Sequence, residues 1–279
     1  MFSFDHIALP VLLTAYALEL LLAIVHHRKE VMRDMLVNLS LGICNITAGF
    51  FMKGVALAVY SGVYAFALFK PPLSAGLWIA GFLSCDFVIY LYHRLGHTTR
   101  LFWAAHVAHH SSQQYNLSTG LRVNFIHMAY RFLFWSPLCL LGIPPWMILF
   151  FESLTAILNF LIHAERVGKL GILDLIFNTP SNHRVHHASN PEYLNKNMGG
   201  ILMLFDHLFG TYTPETTRPV YGITHNIESH HPLHILMHEY RHIGRQLRLI
   251  PGYRDKARFL LGPPGEPCST GLTAESTYR

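Results

Sequence analysis

Long apolar runs alternate along this chain with short basic and histidine-rich segments. Residues 7–25 (IALPVLLTAYALELLLAIV) are apolar except for Glu19, and a helix that crosses the hydrocarbon core of a bilayer needs about 20 such residues. The preceding MFSFDH carries no basic stretch and no small-residue cleavage site, so this run reads as a span and not as a signal peptide. HHRKEVMR (26–33) follows at once, and a basic cluster beside a span marks the cytoplasmic side. Residues 36–69 are apolar again, with Asn38, Asn45 and Lys53 inside. FKPP (69–72) predicts a turn and 73–92 a further span. Two more runs, 127–141 and 145–162, are split by GIPP (142–145). The first is short for a crossing, so this pair is expected to be re-entrant or tilted.

Parity orders these runs. Crossings at 7–25, 40–68 and 73–92 bring the chain to the cytoplasm near His93, with the N-terminus on the other side. The hairpin 127–162 returns it to the same side near His163. The later loops carry Arg166, Lys169, Arg184, Lys196, Arg218, Arg241, Arg245 and Arg248, as the positive-inside rule expects. The fold class read from this pattern is all-α: a multi-span membrane protein with a cytosolic helical cap. Within 233–250, Leu236, Tyr240, Ile243, Leu247 and Ile250 recur at steps of four and three. That face fits either an interfacial helix on anionic lipid or a helix packed on the cap. The tail 251–279, with GPPGEP and no periodicity, is expected to be mobile. Three regions follow: membrane spans in 1–80, a catalytic domain in 81–213, and an amphipathic helix with a tail in 214–279.

Composition sharpens this. The 279 residues are 51% hydrophobic and 13% charged, against about 25% charged in an ordinary soluble domain. That excludes a disordered or collagen-like chain. A net charge of +5 in so apolar a chain gives no argument for nucleic acid. Cys44, Cys85, Cys139 and Cys268 lack CxxC spacing and read as free thiols, the first three buried in apolar runs. Histidine, at 20 residues, is about three times its ordinary share.

Three histidine clusters concentrate the chemistry: His93-Arg-Leu-Gly-His97, His106-Val-Ala-His109-His110 and His183-Arg-Val-His186-His187. Residues i, i+3 and i+4 of a helix share one face, so each cluster aims two or three imidazoles at one point. Eight converging imidazoles exceed what one ion needs. Neutral imidazole suits Zn, Cu, Fe and Ni, and two metals with open positions are expected. None of the clusters has the Glu of an HExxH protease motif. His6, His26, His27, His230, His231, His234, His238 and His242 read as surface residues. Asp86 and Tyr90 lie on the turns before His93 and face its side. They are expected to line a lipid channel or to support the ligands from behind, Asp86 being about 10 Å away by helical rise. Gly199, Gly200, Asp206 and Gly210 read as turn-forming residues.

In these residues the sequence resembles the fatty acid hydroxylase/sterol desaturase superfamily of membrane di-iron enzymes. The order HxxxH, HxxHH, HxxHH carries the likeness. DFVIYLYHRLGH (86–97), WAAHVAHHSSQQYNLSTGLR (103–122) and FNTPSNHRVHHASNPEYLNKNMGGILMLFDHLFGTY (177–212) are similar to the alkylglycerol monooxygenase branch. The resemblance covers about residues 81–225. It implies two irons per chain, with Zn able to replace them in purified protein. It also implies a ligand beyond the eight at His163, where Asn159 stands in the first position of what is HxxxH in some relatives. His225 is a weaker candidate, and His127 and His207 weaker again. His163 also shares the face of the clusters by parity. A ninth imidazole would give one metal five ligands and the other four.

The activity this implies is O2-dependent hydroxylation of a C–H bond in a membrane lipid, whether acyl, alkyl-ether or sterol-like. Desaturation by the same superfamily is the alternative. A non-catalytic metal- or haem-binding membrane protein is the alternative of another class, although haem takes only one or two histidines. The chain has no haem motif, CxxC or GxGxxG. Electrons are therefore expected from outside these motifs, from a separate reductase or, as the resemblance implies, from a reduced pterin, and lipid and O2 are the expected partners. The metal site is expected on the cytoplasmic face.

Overall fold

A computed structural model describes residues 5–265, with side chains from residue 10 onward. The described residues form helices and loops with no strand, as expected for an all-α chain. The helices are α1 (Asp5–Val25), α2 (Lys29–Ala65), α3 (Ala75–Thr98), α4 (Arg100–His110), α5 (Phe132–Leu140), α6 (Pro145–Leu161), α7 (Leu173–Ile176), α8 (Pro180–His186), α9 (Leu204–Phe209), α10 (Pro232–Leu249) and α11 (Tyr253–Leu261).

Helices α2 and α3 are long and apolar enough to cross a membrane, and α1 and α6 add shorter apolar stretches. α2 begins at Lys29, well before the apolar run that predicts it. Its polar first turns persist as helix because Asp34 and Asn38 are buried there. Asp34 pairs with Arg122 at 3.2 Å, and Arg122 also donates to Asn38 Oδ1 at 2.9 Å and to the Ala108 carbonyl at 2.9 Å. At 37 residues, α2 runs about 55 Å, well beyond the roughly 30 Å hydrocarbon core. α5 has 9 residues and spans about 14 Å, too little for a crossing. The GIPP break separates α5 from α6, as the sequence predicts.

The core of the bundle joins Ala56 and Tyr60 of α2, Cys85, Val88 and Ile89 of α3, Trp135 and Cys139 of α5, and Met147, Ile148 and Phe151 of α6. Lipid tails are as apolar as these side chains, so close packing has to hold such helices together. Gly81 provides it: a Cβ there would sit 2.6 Å from Met147 Sδ. Glu19 accepts from the Leu117 amide at 2.7 Å, tying α1 to the loop after α4.

The face of α10 is packed. Ile235 and Leu236 meet Leu41 and Ala108, while Ile243 joins Ala104, Ile250 and Phe259. The tail departs from expectation. Residues 253–261 form α11, held where Arg100 donates to the Phe259 carbonyl and to the Pro263 carbonyl at 2.8 Å. Its pattern is too short to stand alone; contact with α4 makes it a helix. Cys85 and Cys139 are buried, but Cys44 is exposed on α2. His242 is buried, not on the surface. Residues 266–279, including Cys268, and the His6 side chain lie outside the described residues.

Candidate metal centre

Two groups of imidazoles converge where α3, α4, α6 and α8 end. His93, His97, His106, His110 and His186 form one group, and His109, His163, His183 and His187 the other. Within each group the ligand nitrogens lie within 4.8 Å of one another. The helical repeat explains the division. His93 and His97 are four apart on α3, and His106 and His110 four apart on α4, so both pairs face the first group. His109, three after His106, turns to the second. The last cluster mirrors this, with His183 and His187 in the second group and His186 in the first. The eight motif histidines thus split five and three, and His163 brings the second group to four. The two groups adjoin, with His110 and His187 stacked at 4.4 Å.

Backbone carbonyls orient several rings. His93 Nδ1 donates to the Met198 carbonyl at 2.9 Å, His186 Nδ1 to Lys196 at 2.9 Å, and His163 Nδ1 to Asn159 at 2.5 Å. This leaves the Nε2 lone pairs facing inward, a support typical of metal-bound histidine. His93 and His110 each bring Nε2 to 3.1 Å from His106 Nε2. In the second group, Nε2 of His163, His183 and His187 form a triangle with sides of 3.1–3.2 Å. Neutral imidazoles so arranged oppose lone pairs unless a cation lies between them. Nitrogens about 2.0–2.1 Å from a shared ion stand about 3.0–3.4 Å apart, so the spacing fits one. His97 Nε2 and His186 Nε2 are buried with no hydrogen-bond partner in the protein, which suits a metal ligand. Burial, reinforced by neighbouring imidazoles, pushes the pKa values of His106, His109, His110, His183, His186 and His187 well down. Burial alone lowers His163 to about 4. The rings are therefore neutral at pH 7, the form that binds metal.

His225 lies outside both groups. It is exposed, and its Nδ1 stands 3.5 Å from Thr224 Oγ1. His127 and His207 are also outside them. His127 is buried and bonds the Asn124 carbonyl, and His207 Nε2 bonds the Leu175 carbonyl at 2.9 Å. Asp86 and Tyr90 sit behind the ligands. Asp86 accepts from the amides of Ile201 and Leu202 at 2.8 and 3.2 Å. Asp206 accepts from Met198 and Gly199 at 2.7 Å each. Together they clamp the loop whose Met198 carbonyl holds His93. Gly200 belongs to the clamp: a Cβ there would meet Asp86 Oδ1 at 2.9 Å. Tyr90 stacks on Phe209 at 5.4 Å and bonds Thr211 at 3.1 Å.

An inner cavity of about 260 Å³ touches both groups through His93, His106, His109, His163 and His183, and Asn159 lines it as well. It adjoins an outer groove of about 420 Å³ between α2 and α6. A separate cavity of about 450 Å³ gathers Arg28, Arg166, Arg184 and Arg218 beside Tyr115, whose ring lies 5.3 Å from His187. Sequence reasoning missed Tyr115, Arg131 and Glu152, which belong to no histidine cluster and meet the site only through folding.

Residues 78–211 match the family model for fatty acid hydroxylases. This part of the chain is similar to the fatty acid hydroxylase family. All nine grouped histidines fall within it. The chain is 36% identical over 248 residues to a human protein named alkylglycerol monooxygenase, covering 87% of this chain and 55% of that one. The zebrafish (Danio rerio) protein of the same name is 36% identical over 234 residues, 83% of this chain and 52% of its own. An ornithine lipid hydroxylase of Rhizobium tropici is 35% identical over 150 residues, 52% of this chain and 45% of its own. The chain spans about half the length of the curated relatives it matches. No solved structure matches it.

Proposed function

We propose that this protein is a membrane oxidoreductase that hydroxylates a C–H bond of a lipid with O2 at a di-iron centre. The observation that carries the reading is the placement of two imidazole groups on a cavity that adjoins an apolar groove on the membrane bundle. The hydroxylase family and the lipid-oxidising relatives support it. Irons bound there supply the O2 reactivity that no side chain has: one oxygen atom enters the C–H bond, and the other leaves as water with two protons and two electrons from an external reductant.

The chain's own residues do the rest. Nine histidines are the proposed ligands, five to one metal and four to the other. Backbone carbonyls fix the tautomers of His93, His163 and His186, and Asp86 and Asp206 steady the loop behind His93. Asn159 takes no ligand role through its side chain; its carbonyl orients His163, and its amide lines the cavity beside the four-ligand group. The outer groove receives the lipid chain. The electron donor is a separate reductase or a reduced pterin. The metal face is cytoplasmic, a reading supported by Arg28, Arg166, Arg184 and Arg218 gathered beside it.

The test compares lipids of cells with and without the protein and measures metal in the purified chain. A product heavier by one oxygen and two non-haem metals per chain are expected. A product lighter by two hydrogens would replace hydroxylation with desaturation, and a Soret band with no second metal would end the di-iron reading.

A further inference from the structure

The cavity that gathers Arg28, Arg166, Arg184 and Arg218 shares no lining residue with the cavity on the histidines. Against these four arginines it sets three glutamates, Glu19, Glu165 and Glu215, which leaves an excess of one positive charge. Arg184 and Glu215 cancel. Arg184 Nη2 donates to Glu215 Oε2 at 2.7 Å, and its Nη1 donates to the Val167 carbonyl at 2.6 Å. Glu19 is engaged by the Leu117 amide. Arg28, Arg166 and Arg218 differ from Arg184. All three are exposed, and among the described residues none of them forms an ion pair. They come from three separate segments: the turn between α1 and α2, the loop after α6, and the stretch before Tyr221.

Leu22 and Ala23, on the last turn of α1, line the same cavity. Leu18, Leu22 and Val25 follow at helical steps of four and three, and all are exposed, so an apolar stripe on α1 runs to the cavity. With α1 in a bilayer, a basic cavity at its end lies at head-group level. Basic pockets between membrane helices take anionic head groups there. Arginine forks suit phosphate oxygens in particular. A phosphodiester carries one negative charge and so matches the excess of one, which a zwitterionic head group would leave uncancelled. Glu165, Gln113 and Gln114 line the cavity too and can bond head-group hydroxyls. A soluble phosphate compound would leave the stripe on α1 bare, whereas the chains of a phospholipid cover it.

We propose that this cavity binds the head group of an anionic phospholipid, its phosphodiester on Arg28, Arg166 and Arg218 and its chains along Leu18, Leu22 and Val25. This lipid is not the substrate, because its site is separate from the cavity on the histidines. It ties three segments together beside Tyr115, whose ring lies 5.3 Å from His187 and 5.6 Å from His163. It thereby steadies the four-histidine group from outside. The assignment rests on the membrane placement of α1 and not on the chemistry proposed for the histidines.

The test uses the metal-loaded full chain in nanodiscs of phosphatidylcholine mixed with phosphatidylglycerol, and native mass spectrometry counts the lipid each chain retains. One phosphatidylglycerol per chain is expected, held at least about tenfold more tightly than phosphatidylcholine. In Arg28→Gln with Arg218→Gln, that preference should fall below about threefold at unchanged metal content. Arg241→Gln with Arg248→Gln removes the same charge from exposed positions of α10 outside the cavity, and should keep the full preference. Arg166→Gln alone should also lower it, and covers the case in which the first pair does not fold. Equal retention of the two lipids by the unaltered protein, or equal losses in the two double variants, overturns the site. Displacement of phosphatidylglycerol by inorganic phosphate also overturns it, since the occupant would then be a soluble anion. Metal content and oxygenated product are read separately, so the hydroxylase reading stands or falls independently of this site.

Discussion

His186 and His187 are neighbours in sequence, yet they turn to different groups. His186→Ala should therefore weaken the five-histidine site, while His187→Ala weakens the four-histidine one. Anomalous scattering or X-ray absorption on each variant would separate the two, and loss at the same site in both would reject the division. His163 and Asn159 make a second contrast. His163→Ala is expected to lower metal content towards one ion per chain. Asn159→Leu should retain two, because the bond that orients His163 goes to the Asn159 backbone carbonyl. The same rings set a pH limit. In the unfolded chain a histidine titrates near 6.5, and in the folded one His163 titrates near 4. Between these values the unfolded state binds more protons, so folding stability falls as pH drops through that window. Urea unfolding of metal-free protein at pH 7 and pH 4.5 should show a lower midpoint at pH 4.5, and an equal midpoint would mean the rings are not held neutral.

Elements reach the site through polar networks that no single helix contains. Arg122 joins α2, through Asp34 and Asn38, to the Ala108 carbonyl on the helix that carries His106, His109 and His110. Removing one partner of a buried ion pair leaves the other charge uncompensated, which costs about 3–5 kcal/mol. Asp34→Ala should show that loss in thermal or denaturant unfolding, with metal binding weakened too. An unchanged stability would leave the network without structural weight. The α11 helix depends on α4 in the same way. Arg100→Ala should free it, and faster proteolysis near Gly252 is the expected sign.

At the scale of the whole molecule, the basic surface near Arg218 and the turn at Lys70 should lie on opposite sides of the membrane. Single cysteines at Lys70→Cys and Arg218→Cys, both exposed positions, are expected to react with an impermeant reagent from opposite faces of sealed vesicles. Labelling of both from one face would overturn the topology. How much of this was legible in the sequence follows from range. Spacing along one helix sets which way side chains point, so HxxxH and HxxHH announced convergent imidazoles, and the apolar runs announced an all-α bundle. Spacing sets the middle histidine of each HxxHH apart from the outer two, but it could not say that the outer pairs of α4 and α8 face different groups, because that depends on how the two helices are placed in space. Nor could it show that Asp86 serves a loop more than a hundred residues away, or that His225 stands apart from the groups. The helical fate of 253–261 depends on Arg100 and Ala104, and the lining that the inner cavity and the outer groove share at Asn45, Arg131 and Glu152 on three separated segments. The sequence by itself determined the histidine chemistry and the helical class, since both are set by covalent spacing and composition. Only the tertiary structure decided the partition of ligands, their carbonyl partners and the route to them, since those are distances between parts of the chain that local physics leaves free.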